Sequence, residues 1–550
     1  MKIPSDTKVT AHDIDDNDYV CLKIGEFPRI GIPVKDKNGA NCYQVPEGIQ
    51  VLSCDPTTGK ERWQNVKMLT VEDDCDTVKV KLGSRELIIS TNESMAVFDH
   101  ETGALTKVAP DKVGTSMVPV FKKQPAPFGE YGDRDLGWML GAFISDGWTA
   151  GNTVGYAKLE EAKRNEFVRI LRKLHENFTV KTYSENTSGH SDSYKLGNSV
   201  KIHLNSATLI QWFSQFDCVN EAAAEDKEGK RTALFKQVPK FLIDYGTEDF
   251  LWGLFTGLLD GDGTVAKNMA TGRPRWSIRF STSSPYLRDD ICQLCYRLGL
   301  RFSVTTTSPR GFSNEAYTIV PSTTDVYSNL DKFTCVGERE QALIAEWKEC
   351  AQSNDINDQV PISLDEYRAL KLFVTQKSDS GLYSAIMKSK GTGCRASRFT
   401  LMRHIDDIKE SIPTLYDRIM ATNTIWETVT SIEPAGKRQV FDLEVEGTKV
   451  FAINNGVVIW DTVNIHAPVS DKAREEAYAK MMPERNLIGM RDRKILYKPE
   501  KEYQQGLYIA TRMKSGPDVR TRYFNTLEEA RQAYRDGLID VDDPIVIKDN

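Results

Sequence analysis

At 550 residues the chain is long enough for roughly three or four domains, each burying its own core. A formal net charge of −7 excludes a protein that grips nucleic acid over its whole surface, so any such contact must come from local patches. No apolar run reaches the ~20 residues a membrane span needs, and no apolar leader precedes a small-residue cleavage site, so a soluble, intracellular protein is expected. The ten cysteines form no paired pattern. Cys292 and Cys295 lie in a helical stretch without a second pair or nearby histidines, and read as buried thiols in a reducing compartment.

In chain order, residues 1–125 read as short strands separated by turns. Apolar alternation runs through DTVKVKL and ELIISTNESMAVF, with turn signals at Lys37-Asn38-Gly39 and Thr58-Gly59. Within 126–350 a glycine-rich apolar run ends in Asp-Gly twice, as LGWMLGAFISDG at 136–147 and LWGLFTGLLDGDG at 251–263, about 115 residues apart. Small residues at Gly141 and Ala142, and at Gly253 and Gly257, let two such helices approach until their backbones nearly touch. Asp146 and Asp262 then fall together at adjoining helix ends, where two carboxylates can hold a divalent metal against a phosphodiester. Two buried helices capped by aspartates would leave the same pattern without the chemistry.

Each copy is followed by a strand-rich and then a helical segment, the second continuing into TSSPYLRDDICQLCYRLGLRFSV at 282–304. The stretch GRPRWSIRF carries Arg273, Arg275 and Arg279 around Trp276, with Lys267 nearby. Strand alternation puts several of these basic side chains on one face, which suits a sheet that tracks phosphates. Residues 351–425 read as helical. Lys388, Lys390, Arg395, Arg398 and Arg403 cluster there about a glycine-containing turn, which fits either a helix-turn-helix DNA-binding module or a packing subdomain with a solvated basic face. Residues 426–461 return to strands, in WETVTSIEP and RQVFDLEVEGTKVFAINNGVVIWD.

The two glycine-rich runs resemble the paired LAGLIDADG motifs of one family of homing endonucleases. The resemblance implies two ββαββαα-like halves forming a saddle whose sheets line the DNA major groove. It also implies that Asp146 and Asp262 each bind Mg²⁺, which polarises the phosphate and activates water for in-line attack. That family often sets a lysine near each aspartate, and by position Lys201 and Lys267 are the candidates. The first motif has Ile144-Ser145-Asp146 where an additional acidic residue often stands, whereas the second has Asp260-Gly261-Asp262, so slight asymmetry between the strands is expected.

The flanking β segments resemble an intein, a Hint-fold protein-splicing domain in which an endonuclease is commonly lodged. IPSDTKV at 3–9, VPEGIQVLSCDPTTGKERWQNV at 45–66, IISTNESMAVF and the strands at 440–461 carry the likeness. Splicing needs a Cys or Ser nucleophile at the first residue, a His that polarises the first scissile amide, and commonly a His before a terminal Asn. Here Met1 and Lys2 stand first, Thr91 keeps its place but Ser94 takes the neighbouring His position, and Asp442 is kept. Lys449 stands near another usual His, Trp460 replaces the penultimate one, Asp461 stands for the terminal Asn, and Thr462 is the first residue beyond. None of the seven histidines lies in 440–461. The chain is therefore expected not to splice alone and at most to cleave slowly at Asp461–Thr462, with Thr91, Asp442, Asp461 and Thr462 as the residues of any residual reaction.

Three stretches, TVNIHAPVSDKAREEAYAKMMPERNLI at 462–488, KPEKEYQQGLYIATR at 498–512 and FNTLEEARQAYRDGLIDVDDPIVIK at 524–548, resemble the β′ subunit of multisubunit RNA polymerases just beyond its Asp-rich magnesium loop. The loop itself is absent, and Asp461 alone cannot make its metal site. The implied fold class is multidomain. An all-β Hint-like domain (1–125 and 426–461) is interrupted by an α/β two-repeat endonuclease (126–350) and a helical accessory module (351–425). An α+β polymerase β′-like fragment (462–550) follows. The implied activity is Mg²⁺-dependent double-strand cleavage of DNA at the uninterrupted polymerase gene junction, with other RNA polymerase subunits or fragments as protein partners. Polymerases in pieces suit a large bacteriophage, by analogy alone, which would place the protein in the cytoplasm of an infected bacterium. Two rival classes stand beside this one: a trans-acting protein-splicing element or C-terminally cleaving intein that delivers a β′ fragment, and a polymerase assembly subunit with an inactive nuclease.

Overall fold

Within residues 2–461 the computed structural model describes all but 36–40, 84, 92–93, 115, 186–198, 221–231, 270, 271, 273, 309–314, 351–354, 356–357, 378–393 and 454–455; beyond them it describes 475, 478–480, 506, 508, 512, 519–540 and 542–548. Two separated stretches of chain, 3–121 and 424–460, build one 14-stranded sheet. Its frame is a pair of 22-residue strands, Glu61–Leu82 and Thr424–Val445, running antiparallel with register shifts at four places. Short strands are what the sequence pattern suggests here. The bulges explain the difference, because each shift bends the pair and re-phases the inside-outside alternation within a continuous strand. Ile3, Val9, Leu69, Val80, Leu443 and Phe451 fill the core beneath. Ile3 and Pro4 pair with Phe441 and Val440. The interruption leaves and rejoins the sheet at neighbouring strands, Phe121 lying opposite Thr424.

The inserted part repeats one element order twice. In the first repeat helix α1 (Arg134–Asp146) leads into strands β1 (Gly147–Ala150) and β2 (Thr153–Ala157), helix α2 (Glu161–Leu174), and strands β3 (Thr179–Glu185) and β4 (Ser199–Asn205). In the second, α3 (Glu248–Asp262) leads into β5 (Gly263–Asn268), β6 (Arg275–Thr282), α4 (Pro285–Leu298), β7 (Phe302–Thr307), β8 (Ala316–Pro321) and, further on, α5 (Glu338–Glu349). The two four-stranded sheets have the matching orders β1-β2-β4-β3 and β5-β6-β8-β7.

Side chains of Asp133 and Thr247 cap α1 and α3 by accepting from the amides of Leu136 and Phe250. Both helices are buried on nearly every side and meet through glycines. A Cβ added to Gly137, Gly141, Gly253 or Gly257 would lie 2.0, 2.4, 2.2 or 2.1 Å from a backbone carbonyl oxygen of the other helix. Backbone therefore touches backbone, a contact that only a missing side chain permits.

The helical module combines Leu364–Lys377, Arg398–Met402, Ile405–Ser411 and Pro413–Met420 with a two-strand pairing of Gln359–Pro361 and Arg395–Ser397. Arg418, fully buried, ties it to the large sheet by donating to the carbonyls of Thr57 at 3.0 Å and Gly103 at 3.3 Å and to Glu366 at 2.8 Å. Residues 464–550 form a second unit, in whose described part Arg522–Phe524 and Ile545–Ile547 pair in parallel and helix Leu527–Arg535 turns Ala530 and Ala533 inward. All ten cysteines are free thiols. Among the described residues no helix is long and apolar enough to cross a membrane.

Candidate active site

Asp146 and Asp262 are the last residues of α1 and α3, and the glycine contact brings these two ends together. Lys158, just past β2, donates to Asp146 Oδ2 at 2.6 Å and to the Gly261 carbonyl at 2.7 Å. Lys236, on the connector between the repeats, donates to the Ser145 carbonyl. Each ammonium thus grips the carbonyl that precedes one motif aspartate. The connector is pinned where Lys236 sits: its carbonyl accepts from Ser284 Oγ at 2.6 Å, and Lys236 bridges to Val219. Desolvation, with repulsion from Asp146, pushes the Asp262 carboxyl above the usual range although its side chain reaches solvent; Lys236 and Lys158 oppose the shift. With the two carbonyls taken by ammonium groups, the carboxylates of Asp146 and Asp262 are the anionic oxygens that fit a hard divalent cation.

The ammonium groups at this spot are those of Lys158 and Lys236, which position in the sequence does not single out. Lys201 lies in β4 opposite Ala157 and Tyr183. Lys267 pairs with Glu346 of α5 and stands 5.5 Å over the Trp276 ring. The legible signal for Lys158 is hairpin length. Four residues out in β1, a two-residue turn and five back in β2 return the chain to the end of α1.

The additional acidic residue of the second motif has a different use. Asp260, 1% exposed, accepts from Trp138 Nε1 at 2.8 Å and from the amides of Val336 and Gly337 at 2.7 and 3.2 Å. Lys163 stands 3.6 Å away. Asp260 therefore fastens the approach to α5 and is filled with donors. Its counterpart Ile144 is a buried apolar residue.

The pleat of β6 divides the predicted DNA-contacting residues. Arg275 and Arg279 are exposed on one face, while Trp276, Ile278 and Phe280 are buried on the other. Trp276 is not available to a duplex: it stacks on Trp347 of α5, centroids 5.4 Å apart. Lys267, opposite Trp276 in register, shares that covered side. Arg398 is likewise spent internally, on Asp358 at 2.8 Å and on the carbonyls of Ile419 and Thr424. Arg395 is half-buried in the two-strand pairing. Arg273, Lys388, Lys390 and Thr462 lie outside the described residues.

In the large sheet Asp461 is 1% exposed. Its Oδ2 accepts from the Val445 amide at 2.9 Å, with Lys449 Nζ at 3.9 Å, and burial pushes its carboxyl up to about 6. Asp442 is buried opposite Thr70, and Thr91 donates to the Asp76 carbonyl at 3.3 Å from an exposed position.

Residues 249–332, from the start of α3 past the second sheet, match the LAGLIDADG-like domain family. The inserted part of this multidomain chain therefore carries a LAGLIDADG-like domain. Parts of the chain are also similar to RNA polymerase subunits. Over 405 residues it is 22% identical to DNA-directed RNA polymerase subunit Rpo1C of Methanocaldococcus jannaschii, the match covering 70% of this chain and 42% of that protein. Over 90 residues it is 33% identical to the polymerase β′ subunit of Chloroflexus aggregans, covering 16% of this chain and 6% of that protein. The chain thus spans less than half the length of either relative. Solved structures similar to it include I-DmoI in complex with DNA and Ca (14% identity, 38% of this chain, 96% of that one, TM-score 0.25). The Pab PolII intein is another (16% identity, 22% and 66%, TM-score 0.20).

Proposed function

We propose that the chain is a sequence-specific, Mg²⁺-dependent double-strand DNA homing endonuclease. It is lodged in a splicing-type β domain that has lost splicing, within an RNA polymerase β′ gene of a large bacteriophage. The observation that carries the nuclease reading is the meeting of Asp146 and Asp262 at touching helix ends, with Lys158 and Lys236 gripping the adjoining carbonyls. Mg²⁺ held by the two aspartates would neutralise phosphate charge and supply an activated water. The glycine contact sets the spacing of the carboxylates. Lys158 orients Asp146 Oδ2, and both ammonium groups stand ready to offset charge that develops on a scissile phosphate. The two sheets lay exposed faces along the duplex on either side of the paired helices.

Loss of splicing is supported by Asp461, a buried acid beside Lys449 where an asparagine amide and an adjacent imidazole would be needed. The boundaries that go with this reading are 1–125 and 426–461 for the splicing-type domain, 126–350 for the nuclease, 351–425 for the accessory module and 462–550 for the β′ fragment, which would associate with other polymerase pieces. The test is incubation of the purified chain with Mg²⁺ and DNA carrying the uninterrupted β′ junction, with the interrupted allele as control. Cutting of the uninterrupted DNA alone is expected, and its loss in Asp146→Asn and in Asp262→Asn. A folded protein that cuts neither DNA overturns the reading.

A further inference from the structure

We infer that the two halves of the nuclease read their half-sites by different chemistry, and that Arg275 and Arg279 each specify a guanine beneath the second sheet. The inference rests on the endonuclease reading above. On the exposed face of β5-β6-β8-β7 the two guanidinium groups stand among short side chains: Ser277 between them, Ser281 beyond, and Thr318 and Thr305 on the next strands in register. Among the described residues neither guanidinium has a hydrogen-bond or ion-pair partner. Arg134, Arg169, Arg297 and Arg301 of the insert are committed, to Asp249, to Glu166 and Asp135, to the Ala126 carbonyl and to Asp325, whereas Arg172 and Arg339, also without a partner among the described residues, lie on helices α2 and α5 and not on a sheet face. A free, forked donor set rising from a floor of hydroxyls matches the O6/N7 edge of guanine in a major groove.

Strand geometry gives the spacing. Residues rise ~3.3 Å each along a strand, close to the ~3.4 Å between stacked base pairs, so side chains four residues apart address base pairs about four apart. The first sheet presents something else. On its exposed face His203 lies 4.5 Å from Tyr183 and 5.8 Å from Trp148, centroid to centroid. The Trp148 indole lies across Gly155, where an added Cβ would meet it at 2.1 Å. Lys181 and Lys201 flank this ring platform in register with His203 and Tyr183. Rings offer apolar contact, as to a thymine methyl, and no bidentate fork. With Lys181 and Lys201 offering single ammonium contacts and no fork, the first half-site is the one with the weaker requirement for G·C pairs.

The experiment is selection from a randomised duplex library with the full chain, Ca²⁺ replacing Mg²⁺ so that bound DNA stays uncut. Sequencing should return one half-site with two required guanines about four base pairs apart. Arg275→Ala and Arg279→Ala should each relax one of those positions, reducing discrimination about 5- to 150-fold there and nowhere else. Arg275→Lys and Arg279→Lys, which keep the charge but not the fork, should not restore it. Uniform weakening across all sequences with a shallower salt dependence and rescue by lysine would make both residues phosphate contacts and sink the proposal. Enrichment of half-sites without the guanines would sink it too. Failure of the folded chain to enrich any sequence would strike the endonuclease reading itself, and is distinguishable from both.

Discussion

Gly257→Ala tests whether the nuclease depends on bare backbone contact between α1 and α3. In an isolated helix the substitution stabilises by about 1 kcal/mol through propensity. Here the new Cβ would sit 2.1 Å from the Trp138 carbonyl oxygen, 2.8 Å from its carbon and 3.0 Å from the Ala142 nitrogen. A carbon needs roughly 3.5 Å from such neighbours, so the helices must part by about 1 Å or more. None of the three atoms can move by changing a rotamer, which puts the overpacking cost at the upper end of its usual range, about 3 kcal/mol. The net expectation is a loss of about 2 kcal/mol in the unfolding transition of the nuclease, read by urea denaturation. Parting the helices also separates Asp146 from Asp262, and an ångström of misplacement costs about 100-fold in rate, read by cleavage of supercoiled DNA. Gly141→Ala strikes the same seam, at 2.4 Å from the Leu254 carbonyl oxygen, so the double variant should lose less than the sum of the singles. A Gly257→Ala protein as stable as wild type that cuts at the wild-type rate would refute the contact.

Four further outcomes are expected. Asp260→Asn, which turns one of the two accepting oxygens into a donor and so leaves either the Gly337 amide or the Trp138 and Val336 N–H groups facing an NH2, should lower stability by about 1–3 kcal/mol while leaving Mn²⁺ binding measured by electron paramagnetic resonance unchanged. Lys158→Ala should reduce cleavage on the order of 100-fold, whereas Lys201→Ala should leave the chemical step intact in a single-turnover assay. Asp244 is buried, and burial pushes its carboxyl up to about 6. Between the ordinary carboxylate range and that value the folded chain holds a proton the unfolded chain has lost. Stability contributed by this group therefore falls as pH rises through the window, by up to about 3 kcal/mol, and Asp244→Asn should flatten that part of the profile in denaturation midpoints. An intact mass unchanged over days at neutral pH is expected of the purified chain, since Asp461 brings a carboxylate where cyclisation needs an amide; appearance of a fragment beginning at Thr462 would contradict this.

What can be read from the sequence here is what is local. Each candidate aspartate, Asp146 and Asp262, ends a glycine-rich apolar run, and both the helix and its terminus are written within a dozen residues. The lysines are not local. Lys158 arrives by the return of a hairpin and Lys236 by a connector pinned through Ser284, so only tertiary structure joins them to the carboxylates. Trp276 is an intermediate case. Its phase with Ile278 and Phe280 marks it as a core residue by period-two alternation, while its arginine neighbours suggest a nucleic-acid surface; alternation was the better guide. Arg398 shows the opposite limit. A buried arginine that satisfies backbone carbonyls has the same letter as one awaiting a phosphate. The long bent strands escape periodicity because bulges reset its phase.

The split of the large sheet has a temporal consequence. Arg85 and Glu427, paired at 2.5 Å, are 342 residues apart in the chain. At a synthesis rate of about 5–20 residues per second, Glu61–Leu82 waits roughly 17–70 s on the ribosome before its long partner emerges, with an unpaired edge exposed to other nascent chains. During that interval the nuclease is complete and can fold. Phe121 and Thr424 pair across the ends of the nuclease and helical module together, so a folded body, rather than slack chain, would close the loop and deliver the last strands. A lesion that delays folding of the inserted body should therefore surface first as aggregation of the β domain.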